Sequence, residues 1–249
     1  MGKYLLLLFC ILCIQNLSAQ EITSGKVIYE QVVQLDIKLE GEAAHMASML
    51  PKERKSEKVL WFNHEATLFE NSTAVKNEDV MMNQGGANVM IRMAEPDNKV
   101  FTDLATGQQT EQREFMTRQF LIEDQPSFQW KITGNQNIIL GFPCMEAITG
   151  KDDKKITAWF TPVIPVSSGP GIYGGLPGLI LAIESNEGKN VTMAVKVETE
   201  AGETPNIAKP DKGRKVTREE FDQIVEEKMK EMGAQPGAGG GQMMIRIQR

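Results

Sequence analysis

Histidine and cysteine are scarce in this chain: two of the first and three of the second among 249 residues. Neither His45 nor His64 belongs to a spaced ligand pair such as H-x-x-x-H, so a zinc site has little support. Cys10 and Cys13 fall in the apolar N-terminal stretch, and once that stretch is removed Cys144 has no partner for an internal disulfide. Aromatic residues make up only 6% of the sequence. Beyond the N-terminus no segment approaches the ~20 apolar residues of a spanning helix. Positive charge is also in deficit, with 27 Lys+Arg against 33 Asp+Glu. An acidic balance argues against nucleic acid and against an anionic lipid surface as partners. No repeat period is evident.

Lys3, the apolar core Tyr4 to Ile14 and the small pair Ser18-Ala19 read as a secretory signal cleaved after Ala19. No small-residue pair precedes Cys10 or Cys13, so a lipoprotein attachment site is not expected. Losing Lys3 leaves 26 basic against 33 acidic residues, a net charge of 26 − 33 = −7. The expectation is an exported, periplasmic protein, soluble after signal removal and without a transmembrane segment. Roughly 230 mature residues are enough to bury a core without disulfides.

Alternation of period two runs from Ser24 to Lys38, with Val27, Tyr29, Val33, Leu35 and Ile37 on one face, and predicts a long half-buried strand. Leu39 to Leu50 loses that alternation and stops at Pro51, which predicts a short helix. Further strands are expected at Lys55 to Asn63 and Ala66 to Glu70, as a hairpin with His64 in its turn. Val75 to Ala87 reads as a loop, and Asn88 to Met93 and Lys99 to Asp103 as strands joined through Pro96-Asp97-Asn98. Thr110 to Ile122 reads as one strand. Phe128 to Ile132 and Asn137 to Phe142 read as two, with a turn at Gly134-Asn135. Met145 to Thr149 pairs with Lys155 to Phe160, and Leu179 to Glu184 is followed by Asn190 to Glu198.

Strands at short intervals with tight turns define a mainly β protein, a curved antiparallel sheet or half-open barrel. The single β-rich domain is expected over 20–202, with a linker and a packed C-terminal helix over 203–232. Thr217 and Glu220 form the capping box of that helix, near 218–232. Residues 233–249 form a Gly/Met-rich flexible tail, in which Met243 to Ile247 is either disordered or an added edge strand.

The densest local signal is Ser168-Gly-Pro-Gly-Ile-Tyr-Gly-Gly-Leu-Pro-Gly-Leu-Ile-Leu181. Gly169-Pro-Gly171-Ile-Tyr-Gly174 fits the G-x-G-x-x-G pattern of dinucleotide sites. Its context excludes one, because Pro177-Gly178 and a β-like run follow instead of a helix. The stretch Gly174, Gly175, Leu176, Pro177, Gly178, Leu179 and Ile180 therefore predicts a tight structural corner entering a core strand. A hydrolase would draw on Ser167, Ser168 or Cys144 as nucleophile, with no supporting local spacing. Paired methionines (Met46 and Met49, Met81 and Met82, Met90 and Met93, Met229 and Met232, Met243 and Met244) are soft ligands that suit Cu(I), but methionine is ordinary core filler as well. No cofactor, catalytic residue or metal ligand is assigned. Adjacent aromatics at Trp61-Phe62 and Trp159-Phe160 point to opposite faces of their strands. Trp130, Trp159 and Tyr173 are the candidate lining of an apolar cavity.

Gly175-Leu-Pro-Gly-Leu-Ile180 resembles the signature of the GLPGLI family, exported proteins of Bacteroidota-type Gram-negative bacteria without an established biochemical role. Gly25-Lys-Val-Ile-Tyr-Glu30, Trp130-Lys-Ile132, Ile139 to Ala147 and Ala158 to Pro165 are similar to that family's elements as well. The order of strands, short helix and late glycine-proline loop resembles the half-open barrels of periplasmic lipoprotein carriers, a likeness of fold that transfers no function. The function expected on these grounds is non-enzymatic carriage of an apolar or amphiphilic, lipid-like ligand. The alternative is an accessory interaction protein for an outer-membrane transporter or envelope assembly. Copper binding through methionine and hydrolysis stand third.

Overall fold

The computed structural model of the chain describes residues 22–35, 51–72, 78–84, 87–93, 96–199, 207–231 and 243–248. The expected signal (1–19), the helix expected at 39–50 with His45, and the Gly233 to Gly241 linker lie outside the described residues. In chain order the strands are β1 (Gly25–Gln34), β2 (Glu53–Phe62), β3 (Ala66–Asn71), β4 (Glu78–Gln84), β5 (Ala87–Met93), β6 (Lys99–Asp103), β7 (Gln109–Phe115) and β8 (Arg118–Asp124). They continue with β9 (Lys131–Ile139), β10 (Phe142–Thr149), β11 (Ile156–Thr161), β12 (Leu179–Ser185), β13 (Asn190–Thr199), β14 (Arg214–Val216) and β15 (Met243–Gln248). One helix, α1 (Arg218–Glu231), follows β14.

Twelve strands form one open sheet in the order β14-β8-β7-β6-β3-β2-β1-β13-β12-β11-β10-β9, and β15-β5-β4 form a second. The described pairings are antiparallel, apart from β14 alongside β8. Hairpin chemistry explains most of the order. Asn63 Oδ1 accepts from the amides of Glu65 and Ala66, both at 2.8 Å, and so closes the β2–β3 turn. Asp103 Oδ1 accepts from the Thr106 amide at 2.8 Å between β6 and β7.

The sheet is strongly curved, and two hydrogen bonds measure it. Ser168, in the long β11–β12 connection, accepts from the Ile180 amide at 3.0 Å, and its hydroxyl lies 2.9 Å from that of Thr67 on β3. β12 and β3 are four strands apart, or ~19 Å along a flat sheet at ~4.8 Å per strand. One residue cannot bridge that span. The sheet therefore curls around the connection without closing into a barrel, since its ends β14 and β9 do not pair.

Inside the curl lies the main core. Val27, Tyr29, Leu60 and Phe62 from β1 and β2 pack with Ile164 and Val166 of the connection and with Leu179 and Leu181 of β12. A second cluster gathers Ala147, Ala158, Phe160, Leu176, Ile180 and Ile183. β12 serves both clusters, which is why Leu179–Ile183 is an unbroken apolar run, buried throughout. The buried Tyr29 hydroxyl donates to the Ile180 carbonyl at 2.7 Å and locks β1 to β12. Helix α1 closes the far end, burying Phe221 against Phe120, Ile122 and Val216. Its capping box is formed as expected: the Thr217 amide donates to Glu220 Oε2 at 2.9 Å, and the Glu220 amide donates to Thr217 Oγ1 at 3.2 Å. Arg218 reaches Glu111 at 2.5 Å and Asp124 at 3.4 Å.

Several boundaries differ from the sequence expectation. The loop expected over Val75 to Ala87 contains β4. β5 and β6, expected to follow one another in one sheet, belong to different sheets. The single strand expected at Thr110 to Ile122 is a hairpin, β7 and β8, turning at Met116 and Thr117 with φ of 49° and 65°. Such a turn normally recruits glycine or asparagine, and neither is there to announce it. The turn expected at Gly134-Asn135 is a bulge inside the continuous β9, and the chain reverses at Leu140-Gly141. Met243 to Ile247, left open between tail and strand, falls in β15, paired with β5.

Candidate functional site

Among the described residues, the two strands that end the large sheet are unlike. β14 has three residues, whereas β9 has nine, eight of them exposed. Most long edges in soluble proteins are covered or studded with charge, because unpaired main-chain groups invite another strand. β9 has one charged residue, Lys131, and its Ile132 and Ile138 are 48% and 72% exposed. Leu140, in the turn that follows, is 47% exposed.

Register explains how β9 carries these side chains. Ile132 stands opposite Ala147 and Gln136 opposite Met145, and Ala147 and Met145 both belong to the second cluster. Even-numbered positions of β9 thus continue the apolar face of β10 outward to the edge. Between those pairs β9 gains residues in a bulge, held from within by Glu146 Oε2, which accepts from Thr133 Oγ1 at 2.6 Å and Asn135 Nδ2 at 2.8 Å. Edge bulges interrupt indiscriminate pairing and re-aim the side chains beside them.

Beside the start of β9 stand three half-buried rings. Phe128 lies 5.5 Å from Trp130 and 5.4 Å from Tyr173, centroid to centroid. Trp130 Nε1 donates to the Gly174 carbonyl at 2.8 Å, tying the segment before β9 to the glycine-rich corner. Burial pushes the Tyr173 phenol above its ordinary pKa, partly offset by a hydrogen bond to Ser185. The trio is an apolar shelf fixed by one main-chain bond and continuous with the second cluster.

Of the three candidate lining residues, the structure brings together Trp130 and Tyr173. Trp159 packs against the other cluster, on the face opposite Phe160. The same division holds at Trp61-Phe62, where Phe62 is fully buried and Trp61 carries Lys26 over its ring at 5.3 Å. Sequence reading did not assign Ile132, Ile138 or Leu140 to a site. The signal for the first two was their even spacing in a polar stretch, obscured by placing a turn at Gly134-Asn135.

In the corner Gly174 to Ile180, Leu176, Gly178, Leu179 and Ile180 are buried, while Gly175 and Pro177 are exposed. Gly178 approaches the Thr161 carbonyl so closely that a Cβ would stand 2.2 Å from that oxygen. Two of the three candidate nucleophiles are otherwise engaged, and the third, Ser167, is exposed. The Ser168 hydroxyl, 2% exposed, is partnered by Thr67, and the Cys144 thiol faces the Phe142 carbonyl at 3.4 Å, with burial pushing its pKa up. His64 lies in the exposed β2–β3 turn beside Glu65 at 3.5 Å. Among the described residues no group of three or more His, Cys, Asp or Glu is placed to hold a metal ion, and no helix is long and apolar enough to cross a membrane.

Residues 87–182, which include the whole Gly174 to Ile180 corner, match the model of a family described as "Protein of unknown function (Porph_ging)". No curated protein matches the chain. Structures of PNGF-II in the P21 and C2 space groups share its fold at a TM-score of 0.52, with 16% and 17% identity. Those matches cover 82% of this chain and 33% and 32% of the PNGF-II chains, so this chain spans about a third of their length. At that identity the likeness is one of fold.

Proposed function

We propose that this chain is a binding module of the cell envelope, exported to the periplasm and allied to the GLPGLI proteins, which takes up an extended segment of a partner protein along the β9 edge. One observation carries this function: a nine-residue edge strand whose outer side pairs with no other strand among the described residues, Ile138 72% exposed and a half-buried aromatic shelf at its start. Strand addition would pair the outward main-chain groups of β9 and cover more of the two isoleucines, a gain below the ~1.5–3 kcal/mol of a fully buried side chain because each is already partly buried. The concave face offers less room for a guest, because Ile164 and Val166 of the chain's own connection pack into it.

A second function, carriage of an apolar or amphiphilic ligand, draws its support from the shelf of Phe128, Trp130 and Tyr173 rather than from the concave face. A lipid-like molecule co-purifying with the native protein in stoichiometric amount, and released by Trp130→Ala, would favour it.

The test of edge docking is photo-crosslinking in living cells. A crosslinker at Ile138 is expected to give a discrete protein adduct. One at Val195, 49% exposed on β13, is expected to give none. No adduct from Ile138, or the same adducts from both positions, would overturn the proposal.

A further inference from the structure

The corner where β9 begins is basic in an acidic protein. Lys131 is opposite Ile148 at the end of β10, and the tight connection from Gly150 to Lys155 leads into β11, whose Ile156 pairs with Thr149. Lys131, Lys151, Lys154 and Lys155 therefore share one corner of the sheet and are all exposed. None has an ion-pair partner among the described residues. With Asp152, Asp153 and Glu146, which holds Thr133 and Asn135 of β9, counted, the corner sums to 4 − 3 = +1, in a chain whose net charge is −6. At the opposite end of the same edge stand Ile138 and Leu140, with no charged residue from Ile132 to Cys144. The edge is thus polar in the electrical sense, cationic at one end and apolar at the other.

Resting on the edge-docking function above, we propose that the segment β9 receives is an extended peptide with apolar residues at alternate positions and acidic side chains at one end. The apolar positions cover Ile132 and Ile138, and the carboxylates lie at the Lys131 corner. Charge complementarity of this kind fixes register and direction more than it adds affinity. It also separates this guest from a second copy of the chain. Antiparallel self-pairing of β9 about its midpoint would bring the two bulged segments together at Asn135, with Gly134 of each copy facing Gln136 of the other. Self-pairing in the parallel sense would set two lysine corners side by side.

The experiment uses the full mature chain and two synthetic peptides, each an alternating Val-Thr segment, one ending in Glu-Glu and one in Lys-Lys, with amidated C-termini. Fluorescence anisotropy is read on wild type, on the triple variant Lys131→Glu, Lys154→Glu, Lys155→Glu, and on Ile138→Asp, with circular dichroism confirming that each is folded. The Glu-ended peptide is expected to bind wild type, to weaken about tenfold on the triple variant and to weaken further as salt rises. The Lys-ended peptide is expected to show the reverse preference. Equal binding of both peptides to wild type and triple variant, lost on Ile138→Asp, would overturn the acidic guest while leaving edge docking intact. Binding of neither peptide to wild type would overturn both.

Discussion

Gly178→Ala tests the corner more sharply than any substitution in the core. Gly178 has φ of +152°, and a Cβ there would stand 2.2 Å from the Thr161 carbonyl oxygen, 2.7 Å from its carbon and 3.0 Å from the Pro162 Cα. All three obstacles are main chain, and Thr161 is paired in register with Leu179, so no side chain can rotate aside. Admitting one methyl group means moving β11 away from β12 by about an ångström. That shift would break ladder bonds and loosen the packing of Leu179 and Ile180, with an expected loss of ~4 kcal/mol or more. Against a total stability of ~5–15 kcal/mol, such a variant stands close to unfolding. Gly175→Ala is the matched control. Its φ is +83°, but the nearest atom to an added Cβ is Trp130 Nε1 at 4.0 Å, so only the left-handed penalty of ~1–2 kcal/mol applies. Urea unfolding of both variants, followed by far-ultraviolet circular dichroism, should rank Gly178→Ala far below Gly175→Ala, and failure of the former alone to fold agrees with that ranking. A Gly178→Ala protein within ~1 kcal/mol of wild type, or equal losses at the two positions, would refute the close-approach reasoning.

Two further perturbations probe the ties across the curl. Burial holds the Tyr29 phenol well above its ordinary pKa of 10.0, so above that pH the unfolded chain binds fewer protons than the folded one and stability falls as pH rises. Tyr29→Phe should cost ~1–2 kcal/mol at neutral pH, by depriving the Ile180 carbonyl of its donor, and should flatten the alkaline decline. An unchanged slope of stability against pH above ~10 would show that Tyr29 does not carry it. Arg218→Ala removes a partner of Glu111, whose side chain is 6% exposed and retains Arg113 at 3.0 Å, so a loss of ~2 kcal/mol is expected. A double-mutant cycle with Glu111→Gln should return a coupling above ~0.5 kcal/mol, and strict additivity would mean that the pair does not hold α1 in place.

Where the sequence could be read, the cause was local. The hairpin of β2 and β3 is fixed by period-two patterning and by an asparagine that satisfies two amides of its own turn. The start of α1 was legible for the same reason, since a capping box is complete within four residues. Reading failed where turn chemistry was unusual or displaced. Met116 and Thr117 adopt left-handed conformations without the residues that favour them, and the glycine of Gly134-Asn135 marks a bulge, not a reversal. That second misreading hid part of the candidate site, because it cut in two the strand that carries Ile132 and Ile138.

The sequence by itself determined the β class, the main pairings of consecutive strands, the capped helix and the glycine corner, because each is written in contiguous residues. Tertiary structure alone decided that Ser168 meets Thr67 and that Tyr29 reaches Ile180, contacts separated by 101 and 151 residues. It likewise decided that Trp130 and Tyr173 share a shelf while Trp159 faces elsewhere, and that β9 ends the sheet. The physical reason is the same in each case. Alternation tells which face of a strand is apolar, but the curvature of the sheet and the order of its strands decide what that face meets, and whether it meets anything at all.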